Sequence, residues 1–141
     1  MTVTIHTHDQ PRRDLWTAVK RGFVGRCPNC GQGKLFGKFL KVADHCEVCG
    51  EAFHHHRADD LPAYLAIVVV GHVIVALMME FQLHGQMSPL TYLMILIPLA
   101  IVLALVLLQP IKGAVVGLQW ANRMHGFDPS QRDPALPDDE I

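Results

Sequence analysis

Two C-x2-C pairs, two long apolar runs, and a cation-free loop between those runs predict one fold class. It is a small head of β-hairpin knuckles stapled by metal, joined to an α-helical membrane hairpin with interfacial helices. The cysteines are Cys27-Pro-Asn-Cys30 and Cys46-Glu-Val-Cys49, the only 4 in the chain, with 15 residues between the pairs. That spacing is the pattern of a four-cysteine zinc ribbon. A two-residue gap lets both sulfurs of one turn reach one ion. Gly31 and Gly50 follow the pairs and tolerate the positive φ that such turns require. Two disulfides or free thiols are the plain alternative. A redox C-x-x-C pair belongs beside a βαβ pattern, which is absent. Four thiolates close the coordination shell, so the expected Zn2+ is structural rather than catalytic.

The elements follow in chain order. Residues 1–25 are expected to form a disordered start and an amphipathic helix, with Asp14 as the cap of Leu15–Val24. Leu15, Trp16, Val19 and Phe23 share one helical face, flanked by Lys20 and Arg21. This suits either a helix lying on anionic lipid or one packed on the head. Residues 26–57 form the head, where Leu35, Phe36, Phe39, Leu40 and Val42 alternate loosely as strands and Lys34, Lys38 and Lys41 face outward. The head is too short and too poor in large apolar residues to hold together by its core alone, so metal removal should unfold it.

Residues 58–109 form the hairpin, with spans at 61–83 and 89–108. Each is long enough to cross about 30 Å of hydrocarbon as a helix. Core helices of a soluble protein are the alternative, which two adjacent runs of this length disfavour. Pro110 should separate the second span from an interfacial helix at 110–127, and the acidic tail 128–141 is expected to be disordered. Within that helix, Gly113-x-x-x-Gly117 permits close helix contact, a motif too short to specify one. All 12 Lys and Arg lie outside the loop at 84–88. The positive-inside rule then places both termini and the head in the cytoplasm. A reducing cytosol suits metal-bound thiolates.

Several polar residues sit in costly places. His72 lies at the middle of the first span, where an ionisable group is a functional candidate. It either hydrogen-bonds to the second helix or a partner, ligates a metal or haem, or relays protons. Glu80 either faces a partner or reaches the interface with His84. Met78, Met79, His84 and Met87 supply soft ligands for transient copper, or simply pack. His54, His55 and His56 are consecutive and converge poorly on one metal. Asp59 and Asp60 precede Pro62, where one can cap the first span or both can dock a partner's Arg or Lys. No Ser/His/Asp set, phosphate loop or HExxH helix is visible, so an enzyme is not expected.

Several words of the chain resemble the bacterial family named domain of unknown function 983. They are Gly25-Arg26-Cys27-Pro28-Asn29-Cys30-Gly31, Leu35-Phe36, Leu40-Lys41-Val42, Cys46-Glu47-Val48-Cys49-Gly50, Arg57-Ala58-Asp59-Asp60-Leu61-Pro62-Ala63-Tyr64, Gly71-His72 and Lys112-Gly113-Ala114. The resemblance covers residues 15–127. It implies a small inner-membrane protein with a zinc-ribbon-like head and supplies no established activity. Members in alphaproteobacteria are commonly encoded among genes for haem–copper oxidase subunits and assembly factors. The expectation is a non-enzymatic accessory or assembly factor of such an oxidase, with a membrane-protein client that contacts His72 and Glu80. Copper or haem handling is the alternative. A membrane-tethered nucleic-acid binder is a further one, in which Phe36 and Phe39 would stack on bases, but no nucleic acid is expected because the head needs those rings. A homo-oligomer stays open.

Overall fold

The computed structural model describes residues 12–54, 60–85, 88–124 and 127. The polar start at 1–11, Asp59, Met87 and the acidic tail lie outside the described residues. Three helices follow in order: α1 (Leu15–Phe23), α2 (Leu61–His84) and α3 (Pro89–Ala121). Asp14 caps α1 by accepting from the Trp16 amide at 3.2 Å, and it also takes the Thr17 hydroxyl, which lowers the Asp14 pKa. Ser88 caps α3 by accepting from the Thr91 amide.

Helices α2 and α3 are both long and apolar enough to cross a membrane. They pack antiparallel, with Ala66, Val70 and Leu96 buried. The Tyr92 hydroxyl fixes the register by donating to the Phe81 carbonyl at 3.3 Å. Counting equal steps from that pair brings Leu61 level with Lys112.

No break falls at Pro110. Helix α3 runs through Pro98 and Pro110 to Ala121, so in place of a separate interfacial helix the helix of the second span simply continues. A proline removes one amide and crowds the preceding turn. At Pro98 the remaining backbone groups have no water to turn to, which favours keeping the helix, and beyond Pro110 the helix is held by its packing against α1 and the head. At 1.5 Å per residue, its 33 residues extend about 50 Å, against about 30 Å of hydrocarbon. The surplus is a stalk on which the head is built.

The core shows this directly. Leu35 and Phe53 are 0% exposed, and with Val42, Cys27 and Cys46 they cluster with Val115, Val116 and Trp120 of α3 and with Ala18 of α1. Phe39, expected in the head's core, is 55% exposed. The head's own Leu35, Val42 and Phe53 are therefore completed as a core by the end of α3 and by α1.

Helix α1 packs along the stalk through its small residues, not its apolar stripe. Gly22 lies against Gly113 and Ala18 against Gly117, backbone to backbone. Leu15, Trp16 and Phe23 point away and are exposed. Arg13 donates to the Trp120 carbonyl at 2.7 Å and stacks on its ring, so the two helices run antiparallel.

Candidate metal centre

The two cysteine turns are built alike. The Gly31 amide donates to the Cys27 carbonyl and the Gly50 amide to the Cys46 carbonyl, each at 2.9 Å. Gly31 and Gly50 adopt φ of 72° and 73°, the left-handed region that favours glycine. The Cys27 amide then donates to the Gly33 carbonyl, and the Cys46 amide to the Glu51 carbonyl, each at 2.8 Å. Expected strands are represented by isolated antiparallel bridges, Arg26 to Lys34, Phe36 to Val42 and His45 to Ala52. Among the described residues none extends into a strand, because the turns consume most of the short connecting segments.

All four Sγ atoms lie within 4.8 Å of one another. Cys27 to Cys49 and Cys30 to Cys46 are each 3.7 Å apart, and all four cysteines are free. A disulfide would hold its sulfurs at about 2 Å. A tetrahedron of metal–thiolate bonds about 2.3 Å long has edges of about 3.8 Å, so the donor set fits one tetrahedral ion.

The surroundings treat the thiols differently. Amides of Gly33 and Gln32 pull the Cys30 thiol down to about 6. Burial pushes Cys27 and Cys49 up. Four crowded sulfurs ionise together only around a cation, which is what a metal supplies. Asn29 reaches across from the first turn, donating to Glu51 at 3.2 Å and approaching Cys49 Sγ at 3.8 Å.

Two supporting residues escaped the sequence reading. Gly33 lies so close to the site that a Cβ there would overlap Cys46 Sγ. Its only sequence signal was a position three residues past Cys30. Arg21 arches from α1 onto the first turn and donates to the Pro28 carbonyl at 3.2 Å and the Asn29 carbonyl at 2.7 Å. Through Arg21 and the glycine crossing, the metal centre, α1 and α3 form one unit.

The intramembrane candidates are not brought together. His72 faces away from α3, and its Nδ1 donates to the Val68 carbonyl of its own helix at 2.7 Å. A carbonyl only accepts, so neutral His72 carries its proton on Nδ1 and leaves Nε2 as an acceptor. Glu80 pairs with His84 at 3.0 Å, one turn on, with both side chains exposed. Asp60 stands at the N-cap of α2 without a side-chain capping bond, while Pro62 is fully buried.

A model of a protein family described as "Protein of unknown function (DUF983)" matches residues 36–120. The match takes in Cys46, Cys49, both long helices and the stalk, and stops short of Cys27, Cys30 and α1. No curated protein and no solved structure matches the chain.

Proposed function

The chain belongs to the DUF983 family, and from that premise we propose that it is a non-enzymatic accessory or assembly factor of a respiratory haem–copper oxidase in the bacterial inner membrane. In this reading Cys27, Cys30, Cys46 and Cys49 hold a structural Zn2+. The closed set of four sulfurs leaves no position for a substrate, which favours a docking role over catalysis. The termini and head lie in the cytoplasm.

One observation carries the client contact. His72 sits mid-span on the outward face of α2, and its Nε2 has an acceptor lone pair. Between Leu93 and Leu108 the second helix is wholly apolar, so the hairpin holds no donor at that depth. A donor on a transmembrane helix of another protein meets that need. The experiment replaces His72 and Glu80 with alanine in a host that depends on the chain. Oxidase assembly should fall while metal content is unchanged. Oxidase at the wild-type level in the double variant would reject the contact.

Copper or haem handling is a second reading, favoured by one observation. His72 and Met79 line the same open recess on α2, of about 560 Å³. A haem absorption band, or copper bound beyond the four-cysteine site, would move the assignment there.

A further inference from the structure

The head has a side that faces the bilayer. Gly113 lies about 8 Å beyond Leu108 along α3, at the 1.5 Å rise of a helix. Leu108 ends the apolar run, and polar headgroups add some 5–8 Å to each side of the hydrocarbon. Gly113 is therefore at headgroup depth, as is the start of α2. At this level the Phe36 ring packs against Gly113 and Gly25, and Gly22 closes the end of α1.

Two exposed apolar features leave the head from that plane. One is the end of α1, where Phe23 and Val24 are exposed. The other is a turn held by the Phe36 to Val42 bridge and by Gly37 and Lys38 amides donating to the Lys41 carbonyl. Phe39 stands exposed at its tip, with Lys38 and Lys41 exposed on either side.

Charge is divided in the same way. From Leu15 to Ala43 the chain carries no Asp or Glu, and of its cations Arg21 serves the first cysteine turn and Lys20 stacks on Trp16, which leaves Arg26, Lys34, Lys38 and Lys41. The head's acids, Asp44, Glu47 and Glu51, all belong to the second cysteine turn and its flanks. An aromatic tip between lysines, on a turn whose base at Phe36 lies at headgroup depth, has the chemistry of an anionic leaflet surface: rings at the acyl boundary and ammonium groups on phosphates.

We propose that the Phe36–Val42 turn, with Phe23 and Val24, is a lipid-docking collar that seats the metal head on the anionic leaflet its hairpin crosses. The collar holds the head against the bilayer and leaves the second cysteine turn facing the aqueous side. It rests on the hairpin spanning a membrane and not on the identity of any client.

The test uses the full chain in vesicles whose phosphatidylcholine is brominated high on the acyl chains, with or without phosphatidylglycerol. Phe39→Trp is the reporter, in a Trp16→Phe background. The wild-type chain, whose Trp16 stands at the far end of α1, and the background chain, with Trp120 alone, are the controls. Carbonate-resistant retention in the vesicles certifies the hairpin separately. The expected result is blue-shifted, strongly quenched emission from position 39 in anionic vesicles. Quenching should fall with phosphatidylcholine alone and with the further pair Lys38→Glu and Lys41→Glu, while Trp16 stays unquenched. Emission from position 39 that is unquenched in anionic vesicles overturns the collar. Quenching that ignores lipid charge overturns the role of the lysines, and quenching of Trp16 in its place would give the docking to α1.

Discussion

Gly113→Ala should loosen the metal head, although alanine is the better helix former. A Cβ at Gly113 would overlap the carbonyl oxygen of Gly22 and lie 2.9 Å from its carbon. Those atoms are backbone, so no rotamer change relieves the contact and α1 must lift as a whole. Forced overpacking costs about 1–3 kcal/mol, and a rigid backbone obstacle belongs at the upper end. Alanine returns about 1 kcal/mol of helix propensity. The net is about 2 kcal/mol, close to thirtyfold in the opening equilibrium of the head. Gly71→Ala is the control, since nothing lies within 4 Å of a Cβ there. Metal transfer from the purified chain to a chelator, under conditions where opening limits access, reads the effect. Gly113→Ala should release metal about thirtyfold faster, and Gly71→Ala at the wild-type rate. Adding Gly22→Ala, which meets the same crossing from the other side, should cost less than the sum of the two. Release from Gly113→Ala at the wild-type rate would refute the close crossing of α1 on α3.

Three further outcomes follow from the centre itself. Gly33→Ala displaces Cys46 Sγ and should weaken metal binding by about 100-fold, the upper end for a supporting residue, as read by chelator competition. Arg21→Met removes two charge-assisted bonds to the first cysteine turn and should lower stability by about 1–2 kcal/mol, measured by thermal unfolding of the metal-loaded chain in mild detergent; an unchanged midpoint would deny the strut. Protons compete with metal for thiolates, so affinity should fall as pH falls. Burial pushes Cys27 and Cys49 further above the usual thiol range, whereas Cys30 stays ionised until the pH drops below about 6. Calorimetric proton counts should therefore rise further below that pH, and a flat count would contradict the assignment.

What the sequence made legible was what is local. The spacing of the four cysteines determined both turns down to the positive φ of Gly31 and Gly50. Apolar run lengths placed α2 and the start of α3 within a residue or so, and Asp14 marked the start of α1. What escaped was long-range. The core of the head draws Val115, Val116 and Trp120 from the far end of the chain, and no periodicity within 26–57 announces missing partners. Pro110 pointed to a break because local propensity ranks it as one. A helix carried through an apolar layer and then clasped by α1 overrides that preference. Trp16 and Phe23 advertised the apolar face of α1, yet Ala18 and Gly22 make the contact, since only small residues let two backbones meet. Lys20 and Arg21 suited either lipid or the head, and the Arg21 guanidinium serves two carbonyls of the first cysteine turn.

In the proposed reading, four thiolates hold one zinc ion in a head at the cytoplasmic end of a membrane hairpin. Elemental analysis of the full chain, purified in mild detergent beside its Cys46→Ser variant, tests it most directly. One zinc per chain is expected, lost in the variant together with protease resistance of the head and of α1. A metal-free wild-type chain whose head resists protease equally well would contradict it.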